Sequence, residues 1–192
     1  MTYTELLTNI TLYSKRTDLA ALLPAFIELA ETRFNRFLRV REMEGSIGGT
    51  ISAVNELALP ADFGSMKAIW AVGYERSRLQ PQTLETVIGT GRISGVPMLY
   101  AVTSSTLRFD GTGDVLGVYF KRLPALATNG SNWLSTAHPD AYLFTALSEL
   151  HAYVQDATQT AFYDAKAREV MDAIQKNDMR DRFSGQLTAK AS

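Results

Sequence analysis

The apolar residues of this chain change their period twice, and that change constrains the fold more than any other feature. Residues 2–44 follow a helical spacing, and residues 45–126 break into short β-branched and aromatic stretches. Beyond residue 132 the helical spacing returns. Helices at both ends with strands between them imply one helical body into which a β-lobe is inserted.

Thr2, followed three residues later by Glu5, has the form of a capping box, and Leu6, Ile10 and Tyr13 form a stripe behind it. This predicts a first helix over 2–15. Asp18 is a candidate N-cap for a second, in which Leu23, Phe26, Ile27, Ala30, Phe34, Phe37 and Leu38 recur at helical spacing. Pro24 either starts that helix or kinks it, and its end is expected between Arg41 and Glu44, before Gly45. Strands are expected over 46–54, 56–59, 66–72, 97–103, 106–109 and 115–120. Asp110-Gly111 and Gly113-Asp114 suit a tight hairpin between the last two. Residues 81–95, with Gly89, Gly91 and Gly95, read as a loop.

Pro139 opens a helix carrying Tyr142, Ala146, Glu149, Leu150, Tyr153 and Val154, with Phe144 and Leu147 facing the core together. After a turn at 155–158, Phe162, Ala165, Glu169, Val170, Ala173 and Ile174 predict a last helix ending near Lys176. The expected fold is therefore α+β: an antiparallel helical bundle built from the N- and C-terminal helices, with an inserted antiparallel β-lobe. Its expected parts are a helical body (1–44 and 132–178), the lobe (45–127) and a flexible C-terminal arm (179–192), which holds too little apolar surface to order alone.

Composition removes several functions. A chain of 192 residues with 46% hydrophobic content can bury roughly 70% of its unfolded surface in one core. It contains no cysteine, so disulfides, thiolate nucleophiles and cysteine metal sites are impossible, and two histidines make no metal centre. A net charge of −1 is unlike the basic domain of a dedicated nucleic-acid binder. No apolar run reaches the ~18 to 20 residues a membrane span needs, and Met1-Thr2-Tyr3-Thr4-Glu5 lacks the basic start of a signal peptide. A soluble product of the host cytoplasm, without cofactor or metal, is expected.

Catalytic constellations are weak. His138, just before Pro139, has only Ser135 and Asp140 near it, and fits the capping of a helix start better than a base. His151 lies among Leu150, Tyr153 and Val154 and reads as a satisfied or surface histidine. Glu28, Glu31, Asp140 and Glu149 form no cleft signature for glycoside chemistry. Gly89-Thr90-Gly91-Arg92 lacks the Lys-Ser/Thr of a phosphate loop. Trp70 and Trp133 read as packing residues.

Several stretches resemble the head-to-tail adaptor (connector, head-completion) proteins of short-tailed bacteriophages. Phe26-Ile27-Glu28-Leu29-Ala30-Glu31-Thr32-Arg33-Phe34-Asn35-Arg36-Phe37-Leu38-Arg39-Val40-Arg41-Glu42-Met43-Glu44 looks like that family's second helix, and Leu57-Ala58-Leu59-Pro60-Ala61-Asp62-Phe63 like its strand exit. Gly95-Val96-Pro97-Met98-Leu99-Tyr100-Ala101-Val102 is similar to its central strand. Val118-Tyr119-Phe120-Lys121-Arg122-Leu123-Pro124-Ala125-Leu126, leading to Trp133 and Pro139-Asp140, matches its C-terminal signature. The resemblance implies a non-enzymatic structural protein of the virion neck, a homo-oligomeric ring matching a dodecameric portal. Its partners would be the portal protein, further copies of itself and tail or nozzle proteins, with DNA passing through and no membrane. The rival is a glycan- or coat-protein-binding virion domain with hydrolytic capacity.

Arg33, Arg36 and Arg39, three apart, read either as an inter-subunit or portal-facing strip or as a solvated face of weak pairs. Arg180, Arg182, Phe183 and Leu187 are the candidate contacts of an assembly arm, against the alternative of a frayed terminus.

Overall fold

The computed structural model describes residues 1–52, 55–73, 77–90 and 94–183. In chain order the elements are α1 (Tyr3–Ser14), α2 (Leu23–Phe37), β1 (Glu44–Ile51), β2 (Glu56–Ala58), β3 (Phe63–Ala71), β4 (Gln80–Pro81) and α3 (Leu84–Gly89). There follow β5 (Leu99–Val102), β6 (Thr106–Phe109), β7 (Gly113–Lys121), α4 (Leu126–Asn129), α5 (Trp133–Ala137), α6 (Pro139–Tyr153) and α7 (Ala157–Phe183). This mixture of helix with largely antiparallel sheet is the α+β class expected. The chain divides into two compact units, Met1–Glu42 with Leu123–Ser192, and Met43–Arg122.

In the helical unit, α1 starts as its sequence dictates. The Glu5 amide donates to the Thr2 hydroxyl at 3.3 Å, and the Thr2 amide donates to the Glu5 carboxylate at 2.8 Å. Leu6 and Ile10 are fully buried. Pro24 lies in the first turn of α2, where its missing N–H costs nothing, so it starts the helix instead of kinking it. Asp18 does not cap; both its carboxylate oxygens are held by Arg16.

Helix α2 also stops at Phe37, short of the expected 41–44. Leu38 is extended (ψ 136°), and Leu38 and Val40 are both fully buried. Residues two apart reach the same side only in extended backbone, so burying this pair ends the helix. Helix α6 is buried at Ala141, Tyr142, Leu143, Thr145, Ala146, Leu147, Ser148 and Leu150, nearly all round. It is accordingly the central helix, packed by α1, α2, α5 and α7. Leu147 is fully buried as expected, but Phe144 is only half-buried and lies beside Tyr163 of α7.

Helix α7 departs most from expectation. Its inward residues are Ala167, Met171, Ile174 and Asp178, while Phe162, Ala165 and Ala173 of the expected stripe are exposed. It runs to Phe183 instead of ending near Lys176, so the first residues of the expected arm, 179–183, are helical. The physical reason is Asp178: burying its carboxylate against two arginines fixes the turn on either side.

In the β unit, β7 is the centre of a three-stranded antiparallel sheet in the order β1-β7-β3. A second sheet runs β2-β6-β5-β4. It is antiparallel except for the two-residue β4, which pairs parallel with β5. Ile47, Ile51, Ile69, Leu79, Tyr100, Leu107, Phe109, Val115 and Tyr119 fill the core of this unit. The expected hairpin between 106–109 and 115–120 does not form, because β6 and β7 belong to different sheets. Residues 110–112 are a sheet-to-sheet crossing instead. The buried Asp110 carboxylate accepts from the Met98 and Leu99 amides at 2.8 and 2.9 Å. A Cβ at Gly111 would lie 2.3 Å from the Gly95 carbonyl oxygen, and Gly113 takes φ +125°, so both positions need glycine. The loop expected over 81–95 contains α3, capped by the Thr83 hydroxyl, which accepts from the Thr86 amide. Gly91 and Arg92 of the glycine-rich stretch lie outside the described residues.

Candidate interaction surface

Two clusters of charge lie on the helical unit, and a few large apolar side chains of α7 are exposed beside them. The first cluster is built where α7 passes the extended segment after α2. Asp178 Oδ1 accepts from Arg41 Nε at 2.8 Å and from the Arg41 amide at 3.2 Å, and Asp178 Oδ2 accepts from Arg182 Nε at 2.6 Å. The outer Arg41 nitrogen reaches Asp181 at 3.1 Å, and Gln175 donates to the Phe37 carbonyl at 2.6 Å. Burial pushes the Asp178 carboxyl up, but the hydrogen bonds from Arg41 and Arg182 outweigh it and hold the group below its usual range. A cleft of about 150 Å³ lies beside this network, with Val40, Trp133, His138 and Ile174 in its wall.

The second cluster centres on Arg33, which pairs with Asp164 of α7 at 2.5 Å and approaches Glu149 of α6 at 4.0 Å. Arg168 also reaches Asp164, at 2.9 Å. Arg33, Glu149 and Asp164 border an open groove of about 640 Å³ whose wall includes Ser148, Gln155 and Thr160.

The three arginines of α2 therefore do not make one strip. Arg33 turns inward to tie α2 to α6 and α7 within the chain. Arg39 lies past the helix end and donates to the Asn35 and Leu38 carbonyls, closing the C-terminus of α2. Arg36 alone is exposed without an ion pair among the described residues. At the far end of α7, Arg182 is occupied by Asp178. Arg180 is exposed and has no ion pair among the described residues, and Phe183 is exposed. Leu187 lies outside the described residues. Phe162, Met179 and Phe183 leave α7 with apolar side chains in water, on the side away from Met171, Ile174 and Asp178.

Catalytic arrangements are weaker still. His138 occupies the N-cap position of α6 but makes no capping hydrogen bond. Asn132 instead caps the preceding α5, its side-chain oxygen accepting from the Ser135 amide at 2.9 Å. His151 stacks on Tyr163, with centroids 5.3 Å apart, and burial lowers its pKa despite Asp156 at 4.0 Å. Glu31 is buried and accepts from the Leu126 amide at 2.7 Å and the Tyr142 hydroxyl at 3.2 Å. Burial raises its pKa in spite of those bonds. Burial likewise raises that of Tyr142, whose hydroxyl also takes a bond from Asn132 at 2.7 Å. Glu31 thus serves packing, and neither Glu28 nor Glu149 makes a carboxylate pair with it.

Sequence reasoning missed both buried acids. Their signal was positional: Glu31 stands four after Ile27 and three before Phe34, and Asp178 four after Ile174, so each sits on an inward stripe. Among the described residues no three His, Cys, Asp or Glu residues are grouped to hold a metal, and no helix is long and apolar enough to cross a membrane.

In the helical unit Arg33, Arg41 and Arg182 are held by carboxylates of α7, and apolar side chains of that helix stand outward. The SU10 adaptor protein family matches residues 1–190, and the chain belongs to that family. No curated protein matches it.

Proposed function

We propose that the protein is a non-enzymatic subunit of the virion neck. Copies form a ring beneath the portal, twelve-fold in keeping with a dodecameric portal, which extends the DNA channel and gives tail or nozzle proteins their docking platform. The observation that carries this reading is the match of an adaptor family over nearly the whole chain. The outward side of α7 supports it. Phe162, Met179 and Phe183 are exposed large apolar residues on one helix, and Arg180, next to Met179, has no ion pair among the described residues. Such residues are typical anchors of protein contacts.

On this reading Arg36, Arg180 and Phe183 face partners, as does Leu187 beyond the described residues. Arg33, Arg39 and Arg182 instead shape the subunit that presents them. A mixture of modest contacts suits a ring, because closure makes each contact intramolecular once its neighbours are in place. The near-neutral charge suits a channel wall that must release DNA. The glycan-binding rival gains no support from the clefts. Among the described residues the large groove beside Arg33 has no aromatic wall, and the smaller hollow at Trp70, Val72 and Leu116 has one ring and no carboxylate.

Negative-stain imaging of the protein mixed with its portal tests the proposal. A ring at the clip end of the portal is the expected result, and its absence at micromolar concentrations of both overturns it.

A further inference from the structure

The edges of the two sheets in the β unit are not alike. The outer edge of β3 is covered, because Ala71 donates to the Ser77 carbonyl and Leu79 donates to that of Ile69. Strand β2 is three residues long, and its Glu56 is tied across to Arg108. Strand β4 has two residues, one of them Pro81, which has no N–H. Short strands, charge and proline are the usual guards against unwanted pairing. Strand β1 is less guarded: eight residues long, it carries no proline, and its one charge, Glu44, stands at its first position and is tied to Lys67.

The orientation of its backbone follows from the ladder. The Val72 amide donates to the Asp114 carbonyl, so even-numbered residues of β7 bond toward β3 and odd-numbered ones toward β1. With Gly45 opposite Tyr119, Ile47 opposite Gly117 and Gly49 opposite Val115, the odd residues of β1 bond to β7. Ser46, Gly48 and Thr50 therefore point their N–H and C=O groups away from the sheet. All three are exposed, and none of these groups bonds to another described residue. This edge is a built acceptor for one extended strand.

We propose that the free edge of β1 accepts residues 186–191 of a second copy of this chain, as a strand added between neighbouring subunits. The inference rests on the ring reading and names one of its contacts. These residues lie outside those described, and their sequence carries the argument. Leu187, Ala189 and Ala191 alternate with Gln186, Thr188 and Lys190, the period that gives a strand one apolar and one polar side. Beside β1 the apolar set continues the side of Ile47 and Ile51, which face the core, and the polar set continues the side of Ser46 and Thr50. Lys190 then sits on the solvent side, where it opposes no like charge. Donor and acceptor are different surfaces of one chain, which is the head-to-tail geometry that closes rings.

The absence of cysteine makes the test clean. Ser46→Cys and Thr188→Cys are made separately, mixed in equal amounts with the portal at high protein concentration and treated with a short bismaleimide, while the same samples are imaged for rings. The expected result is a two-chain product in the mixture that neither variant gives alone, suppressed by an excess of a synthetic peptide of residues 184–192. A product from Ser46→Cys alone would mean that two β1 edges pair with each other, and would overturn the assignment. So would a link formed only within single chains of the double variant. Rings without the cross-link overturn the strand contact and leave the ring standing. The cross-link without rings supports the contact and removes the ring, and failure of both removes both.

Discussion

Substitutions at Glu31 separate two roles that a buried acid can have. Its carboxylate accepts from the Leu126 amide and the Tyr142 hydroxyl, and both donors belong to fully buried residues. Glu31→Leu removes the acceptor and leaves the Leu126 amide unpaired. The Tyr142 oxygen still receives a bond from Asn132, but its own proton loses its partner. Stranding a buried donor costs about 1–3 kcal/mol, so two donors imply about 2–6 kcal/mol, with little recovered from the added apolar volume. Glu31→Gln keeps an oxygen for both donors and removes the charge that burial disfavours, so it should fall within about 1 kcal/mol of the parent at neutral pH.

The pH dependence carries the sign. The folded-state pKa of Glu31 is raised above the ordinary 4.5, by burial first and opposed by the two hydrogen bonds. Its contribution is therefore fully present below pH 4.5 and is lost as pH rises through the higher folded value. Urea unfolding at several pH values from 4 to 7 should show the parent losing this contribution and Glu31→Gln lacking that slope. A Glu31→Gln variant as unstable as Glu31→Leu would refute the reasoning, because it would show that the charge itself holds the helices together.

Asp178 has the opposite sign: its pKa is held down by Arg41 and Arg182 against burial, so its contribution is present at neutral pH and is lost as pH falls through the lowered folded value. Asp178→Asn should loosen the end of α7, seen as faster amide exchange over 175–183, and unchanged exchange there would contradict the assignment. Leu147→Ala should cost about 2–5 kcal/mol in denaturant unfolding, and Phe144→Ala about half as much, since only Leu147 is fully enclosed; equal costs would count against this placement. Gly111→Ala drives a methyl group into the Gly95 carbonyl and should lower stability by about 1–3 kcal/mol or more, checked by thermal unfolding. Removing residues 184–192 should leave the melting temperature nearly unchanged while weakening ring formation at the portal, and a large fall in melting temperature would show that they hold the subunit together.

Local chemistry alone determined much of this protein. The Thr2 and Glu5 capping pair, Pro24 and Pro139 in first turns, the strands around Ile69, Leu107 and Tyr119, and the order of helices and strands all follow from interactions spanning a few residues. The resemblance to phage adaptors was legible for the same reason: it lies in the order of such short signals. Tertiary structure decided what local chemistry leaves degenerate. Turn residues at 110–113 are compatible with a hairpin or a crossing, and the placement of β6 and β7 in separate sheets selects the crossing. Leu38 and Val40 can continue a helix until the core requires both on one side. An arginine every third residue cannot say which carboxylate it will meet: Arg33 found Asp164, 131 residues away. Asp178 shows most plainly what the sequence withheld. An acid on an inward stripe is unfavourable by itself, and only the arrival of Arg41 from the far part of the chain turns it into the fastening that carries α7 to Phe183.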